Sequence, residues 1–341
     1  MWKKMGKLRE YLVLSRIQTA SVTALAPVIG ILSTGKATIE TCILYFVIGI
    51  LIHIYGFVLN EWADYIYDCK AEYLKSKPLV AGTISRNSAL ALALFSMVVA
   101  YILVVVTTKN IISLPLMLIS IICGGLYDLK GKKIIGSDFV LAAWAFTFTL
   151  AAGFSVLPNE NFFTIPTMLY IVALLGSIQV LFNNSVEGGI KDLEQDRNSG
   201  ARTWMIFLGS KVVNNELMLS PSSIIFAYCV KCFYFLIVIS PALFGIVEFS
   251  EFDLYSYSLL VLLFASVMFL SMPKFIFVTK YDREKLKKIF SIHEVSTFFL
   301  IPTVIIPIIG LGYALTLMLI PLAWYVVTNI LLYGKALQPQ V

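Results

Sequence analysis

Asn60, Asp64 and Asp68 stand four residues apart at the end of a long apolar run, and Asn184, Gly188, Asp192 and Asp196 repeat that step at the end of another. Residues four apart on a helix share one face, so the first run would present an amide and two carboxylates along about 12 Å of helix. Two such faces could share one cation cluster. Carboxylate oxygens suit hard divalent cations, above all Mg²⁺, which takes a few carboxylates and completes its shell with water and substrate phosphate. A diphosphate would bring the missing oxygens, and lysines and arginines around it would neutralise the remaining charge and hold the leaving group. A solvated helix end would explain some of these charges, but not amides deep in apolar segments, where unsatisfied polar groups are costly.

The elements that carry these residues are membrane helices. Of 341 residues, 59% are hydrophobic and 13% charged, and the mean hydropathy is +0.87. Those values lie far from soluble domains and imply an integral membrane protein, an all-α, polytopic transmembrane bundle. Apolar stretches near the length needed to cross about 30 Å of hydrocarbon recur throughout. Ten spans are expected, at 17–32, 39–59, 89–106, 111–126, 139–157, 165–186, 223–247, 254–272, 295–310 and 314–332, with nine as the alternative. The chain reads as one domain over 1–341, with cap loops at about 69–88 and 197–222 and no removed signal peptide. Alternating the sides leaves Lys36 and Lys109 at one end and puts nearly all other basic residues, of a net +6, at the end holding both acidic runs. The positive-inside rule makes that end cytoplasmic.

Further candidates cluster there. Arg16 opens the first span and either snorkels to headgroups or reaches a bound phosphate. Lys77 precedes Pro78 in the first cap loop, and Tyr127 leads into Lys130, Lys132 and Lys133. Lys191 adjoins Asp192, and Arg202 follows the second acidic run. Lys231 lies inside an apolar run and either faces the bundle interior or marks a membrane boundary nearer Tyr228, the placement preferred here. His53 is expected to be packed and hydrogen-bonded, and the basic stretch 274–288 reads as a membrane-surface helix. Five cysteines in mostly apolar runs form no disulfide framework, and two histidines argue against zinc or haem. No nucleic-acid partner is expected; membrane lipid is.

Only apolar helices lie behind the acidic runs, so the organic part of a diphosphate substrate would be a hydrocarbon chain, as in a polyprenyl diphosphate. The chain resembles the UbiA-type intramembrane prenyltransferases. Their Asn-x-x-x-Asp-x-x-x-Asp signature stands here as Asn60, Asp64 and Asp68, and their Asp-x-x-x-Asp signature as Asp192 and Asp196. The flanks agree too, from Lys77-Pro78-Leu79 to Gly82-Thr83 and from Asp196-Arg197 to Gly200 and Thr203. The resemblance implies a helical bundle around a central cavity, in which Asp64, Asp68, Asp192 and Asp196 bind Mg²⁺ and Asn60 orients the first cluster or touches phosphate. It makes Lys130, Lys132, Lys133 and Arg202 diphosphate contacts, with Arg16, Lys77, Tyr127, Asn184 and Lys191 beside them. The implied reaction is Mg²⁺-dependent transfer of an isoprenyl chain, geranylgeranyl diphosphate being the expected donor, to a lipophilic acceptor: an aromatic ring or a glycerol-phosphate ether lipid. Two alternatives are a UbiA-like terpene cyclase and an ion-coupled transporter. A transporter would carry its carboxylates nearer the bilayer middle.

Overall fold

The structure, a computed structural model, describes residues 6–69 and 74–336. Part of the first cap loop, with Lys70, and the first five residues, with Lys3 and Lys4, lie outside the described residues. In chain order the helices are α1 (Gly6–Leu14), α2 (Ala20–Leu32), α3 (Ile39–Asp68), α4 (Arg86–Thr107), α5 (Ser113–Lys130), α6 (Ser137–Ser155), α7 (Thr167–Phe182), α8 (Gly189–Lys191), α9 (Leu193–Ser199) and α10 (Trp204–Phe207). After strands β1 (Lys211–Val213) and β2 (Glu216–Met218) come α11 (Pro221–Leu243), α12 (Glu251–Ile276), α13 (Arg283–Val304), α14 (Ile306–Ile309) and α15 (Leu311–Tyr333). Helices therefore occupy all ten expected positions.

Among the described residues, eight helices are long and apolar enough to cross a membrane, and α1 with 17–32, bent by 55°, forms a ninth candidate. The ninth expected position, α13, begins with Arg283, Glu284, Lys285, Lys287 and Lys288, and only its second half is apolar. The expected surface helix at 274–288 does not form. Lys274 lies in the last turn of α12, Lys280 in the short link that follows, and Arg283, Lys285, Lys287 and Lys288 open α13. Local capping explains the helix starts: Ser85, Ser220, Ser250 and Asp282 each accept a bond from a backbone N–H three residues on.

Most of α2 is buried, packed between α3, α6, α7 and α15. Small residues permit these close approaches. A Cβ on Gly49 of α3 would stand 2.4 Å from Ala24 Cα, and one on Gly30 of α2 would stand 2.6 Å from the Thr149 carbonyl oxygen.

The second cap is more ordered than a loop. Asn214 and Asn215, both at positive φ (51° and 63°), turn β1 back onto β2 as a two-residue hairpin requires. The link before α13 then joins this hairpin: Leu217 N–H donates to Thr279 at 2.7 Å and Tyr281 N–H to Asn215 at 2.9 Å.

Lys231 is fully buried between α7, α11 and α13, so its expected place at a membrane boundary is wrong. Its Nζ donates to Gln179 Oε1 at 3.3 Å and Thr297 Oγ1 at 3.4 Å, and lies 4.0 Å from the centre of the Phe182 ring. Amide, hydroxyl and π face together replace the water an ammonium loses on burial. His53 is buried as expected, its ring nitrogens 3.0 Å from Thr23 Oγ1 and 3.2 Å from the Arg16 carbonyl oxygen.

The α2–α3 crossing gives a direct test. Gly49→Ala forces backbone apart and should cost about 1–3 kcal/mol, read as a lower thermal midpoint in detergent. Gly312→Ala adds a methyl that meets nothing within 4 Å and should leave the midpoint unchanged or slightly raised. Equal effects would contradict the crossing.

Candidate active site at the paired acidic motifs

The first acidic run is the last part of α3. Asn60, half-buried, lies one turn before Asp64 and two before Asp68 on a regular helix, as the spacing predicts. Lys132, just beyond α5, places Nζ 2.8 Å from Asp64 Oδ2. Lys77, from the first cap, places Nζ 2.7 Å from Asp68 Oδ2 and 2.9 Å from Glu61 Oε2. Glu61 is 5% exposed and also accepts from Arg16 Nη2 at 2.7 Å. Arg16 sits at the bend between α1 and α2 in a left-handed conformation (φ 47°), rare for a side chain of its size, and its guanidinium turns inward to this carboxylate.

Leu79 and Ile84 peg the first cap to the core, while Arg86 lies over the rings of Trp62 (4.9 Å) and Tyr65 (4.8 Å). These contacts fix the loop that carries Lys77.

The second run departs from a regular helix. Residues Asn183–Gly188 form a π-helical segment, a wider turn often found at functional sites. From Gly188 the four-residue ladder resumes: Asp192 N–H donates to the Gly188 carbonyl at 2.9 Å and Asp196 N–H to the Asp192 carbonyl at 2.8 Å. Asn184 is set off from that ladder. Its side chain instead accepts from Tyr127 Oη at 3.3 Å and donates to the Val180 carbonyl at 2.8 Å, tying α5 to α7.

Asp192 Oδ1 accepts from Arg283 Nη2 at 2.8 Å and Nε at 3.2 Å, and Lys191 Nζ stands 3.5 Å from its other oxygen. Tyr281 donates to the Lys191 carbonyl, so the hairpin link both anchors this turn and aims Arg283.

Two observations bring the motifs together. The Arg202 N–H donates to the Lys132 carbonyl at 2.9 Å, sewing the segment after the second motif onto the lysine that pairs with the first. Asp196, buried in α9, has its carboxyl pushed up from the usual 3.8 to about 6, first by burial, then by the Asp192 carboxylate, with Lys132 opposing and Asp64 adding to the rise. Asp64 and Asp196 are thus near enough for their charges to interact.

Asp64, Asp68, Lys77, Lys132, Lys191, Asp192 and Asp196 thus converge as expected, with Arg16 joined through Glu61. Lys130 and Lys133 are exposed, which singles out Lys132 from the run after Tyr127. The Arg202 side chain is exposed too, and the residue contributes through its backbone. Sequence reasoning missed Glu61, which lies off the Asn60 stripe, and Arg283, hidden within a generally basic stretch. A buried acid inside an apolar helix end was the available signal for Glu61; nothing in spacing marks Arg283.

Among the described residues, no three His, Cys, Asp or Glu side chains form a ready-made metal cluster. Mg²⁺ does not need one, because it commonly takes one or two carboxylates and fills its shell with water and phosphate. The all-oxygen donor set of Asp64, Asp68, Asp192 and Asp196 therefore fits such an ion. Lysine and arginine nitrogens now supply the positive charge it would bring.

A helical membrane bundle with two acidic motifs joined at one end defines the class of protein. The chain belongs to the UbiA prenyltransferase family, whose model matches residues 20–272. The 4-hydroxybenzoate octaprenyltransferase of Vesicomyosocius okutanii subsp. Calyptogena okutanii (strain HA) is 29% identical over 163 residues, 47% of this chain and 56% of that protein. A protein of the same name from Methylobacillus flagellatus is 27% identical over 154 residues, 45% and 49% of the two chains. The chain spans about half the length of these curated relatives. A digeranylgeranylglyceryl phosphate synthase structure superposes with a TM-score of 0.62 at 21% identity, covering 89% of this chain and 99% of that one. A UbiA homologue from Archaeoglobus fulgidus, bound to DMAPP and Mg²⁺, gives 0.58 at 18% identity, covering 86% and 99%. These likenesses establish a shared fold.

Asp196 also makes a pH prediction. A carboxyl that titrates higher in the folded state favours folding below its unfolded value, and that advantage is lost as pH rises through about 6. In chelator, the thermal midpoint should fall between about pH 5 and about pH 7.5, and Asp196→Asn should reduce the fall. An identical fall in the variant would contradict the site's charge balance.

Proposed function

We propose that the chain is a Mg²⁺-dependent intramembrane prenyltransferase that moves an isoprenyl group from a polyprenyl diphosphate to a lipophilic acceptor in quinone or membrane-lipid biosynthesis. The observation that carries this reading is the bond from the Arg202 N–H, just beyond the second motif, to the carbonyl of Lys132, whose Nζ pairs with Asp64 of the first, with Lys77 and Arg283 paired to Asp68 and Asp192 at the same end of an apolar bundle.

Asp64, Asp68, Asp192 and Asp196 would hold the metal. When bound, Mg²⁺ would neutralise diphosphate charge and make that group a better leaving group. The protein's own part is an exchange of partners. Metal held by these carboxylates would leave Lys132, Lys77 and Arg283 free to donate to phosphate oxygens, a strong charge-assisted contact. The first cap, through Lys77, and the second, through the Arg202 backbone and the hairpin link, close the same end and limit water around the reacting carbon. Apolar helices behind the motifs accommodate the isoprenyl chain, and Tyr127 with Asn184 holds α5 against α7 beneath it.

The DMAPP and Mg²⁺ bound to the Archaeoglobus homologue support the donor and the ion. The 4-hydroxybenzoate relatives favour an aromatic acceptor, while the fold neighbour named for digeranylgeranylglyceryl phosphate keeps the ether-lipid class in view. The concentration of basic residues at the site end, with Lys36 and Lys109 opposite, supports a cytoplasmic site.

Purified protein should consume geranylgeranyl diphosphate only with a divalent cation. Asp64→Asn or Asp192→Asn should lower turnover by about a hundredfold or more, the scale of a lost transition-state electrostatic contact. Unchanged turnover in excess chelator would refute the reading. Lys132→Gln should weaken binding of a non-reacting isoprenyl thiodiphosphate by about tenfold or more, as expected for one charge-assisted hydrogen bond. Lys130→Gln and Lys133→Gln should change it by less than about twofold. Calorimetric titration distinguishes the three; equal losses would contradict the assignment of Lys132.

A further inference from the structure

Glu187 and His293 belong to neither acidic motif, and the proposed reaction has not used them. Glu187 lies in the π-helical segment and His293 on α13, each at most 2% exposed. His293 Nδ1 stands 2.5 Å from Glu187 Oε1, so one proton serves both atoms. The imidazole packs between the rings of Phe182 (5.0 Å) and Phe275 (5.5 Å), and its Nε2 has no hydrogen-bond partner among the described residues. Shape alone would suit a phenylalanine there. What the imidazole adds is one bond, to Glu187.

Stability explains that bond poorly. Taking two ionisable groups out of water can cost more than their contact returns, and well-packed apolar residues often replace such a pair without loss. Its place in the chain explains it better. Asp192 follows Glu187 by five residues, and Arg283, which pairs with Asp192, precedes His293 by ten. Helix α13 therefore grips the segment of the second motif twice: at Arg283 and, about 15 Å further along its axis, at His293. A second route runs beside the first. Asn183 of the π-helical segment accepts from Gln179 Nε2 at 3.0 Å, Gln179 Oε1 accepts from Lys231 Nζ, and Lys231 reaches Thr297, one turn beyond His293 on α13. On the other side Tyr127 ties Asn184 to α5. Each residue of an α-helix turns the next side chain by about 100°, so a π-helical insertion leaves the aim of Asp192 and Asp196 to whatever pins the segment.

We propose that Glu187 and His293 are positioning residues of the cation site: their bond fixes the rotation of the π-helical segment that presents Asp192 and Asp196 to a divalent ion. This rests on the prenyltransferase reading and deepens it, because it assigns part of the metal affinity to a pair that touches neither metal nor substrate. The same bond sets α13, and with it Arg283, against the second motif. Arg283 can then change partner from carboxylate to phosphate while the helix that carries it stays in place.

The test measures Mn²⁺ binding to the full chain in lipid by calorimetric titration, beside the thermal midpoint. His293→Phe keeps a ring between Phe182 and Phe275 but drops the nitrogen. It should lower the midpoint, by leaving Glu187 without its partner, and weaken Mn²⁺ binding by about tenfold or more, the scale of losing a group that orients a metal ligand. Glu187→Gln can accept from Nδ1 or donate to it, and should stay within about threefold of wild type. Glu187→Met combined with His293→Phe makes both partners apolar and leaves Lys231 its bonds to Gln179 and Thr297. That double variant should regain the wild-type midpoint yet still bind Mn²⁺ about tenfold more weakly. A pair that served stability alone would recover affinity together with the midpoint.

Wild-type Mn²⁺ affinity in His293→Phe or in the double variant would overturn the proposal, as would a loss in Glu187→Gln as deep as in His293→Phe. Should the double variant fail to fold, the contrast between the two single variants decides. If wild type neither binds Mn²⁺ nor consumes geranylgeranyl diphosphate, the prenyltransferase reading itself falls, and this one with it.

Discussion

The 2.8 Å ion pair between Lys132 and Asp64 joins the end of α5 to the acidic stripe of α3, while the same lysine's carbonyl holds Arg202 beyond the second motif. Acids at the rim of a hydrocarbon medium must be compensated, and here each compensating cation arrives from a different part of the chain. Lys77 comes from the first cap, Lys132 from the turn after α5, Arg283 from the start of α13 and Arg16 from the bend in the first span. Compensation therefore assembles the site: the pairs that make the carboxylates tolerable also fix both caps to the helices. The same pairs leave the acids available, because a divalent ion can replace ammonium and guanidinium groups, which then suit phosphate.

The bundle obeys the same rule away from the site. Glu187 and His293, both buried, stand 2.5 Å apart, and Lys231 finds an amide, a hydroxyl and an aromatic face nearby. The C-terminal helix α15 packs on the broken first helix. Trp324 Nε1 donates to the Ile17 carbonyl at 2.7 Å, and Arg9 Nε to the Leu332 carbonyl at 3.0 Å. The first of these bonds satisfies a carbonyl beside the bend at Arg16, so α15 helps maintain the geometry that turns Arg16 toward Glu61.

Much of this was legible because it is periodic. Ten apolar runs foretold ten helices, and the spacing of Asn60, Asp64 and Asp68 foretold one face of α3, because local rules govern both. The asymmetric placement of basic residues correctly put both acidic motifs at one end. What was hidden depends on tertiary pairing. The π-helical segment at Asn183–Gly188 breaks the assumption of a uniform 3.6-residue period, so Asn184 could not be placed by counting back from Asp192. Arg283 looked like one charge among many until the hairpin link set it against Asp192. Lys231 was misplaced because hydropathy cannot distinguish an ammonium at a boundary from one that finds partners on two neighbouring helices.

The central claim is that Asp64, Asp68, Asp192 and Asp196 form one cation and diphosphate site whose present counter-ions are exchangeable. A structure determined with Mn²⁺ and a non-reacting isoprenyl thiodiphosphate, with metal positions fixed by anomalous scattering, tests it most directly. The account predicts metal peaks between the two motifs, with Lys132 and Lys77 moved from Asp64 and Asp68 onto phosphate oxygens. Metal bound elsewhere, or thiodiphosphate seated while both ion pairs remain intact, would contradict it.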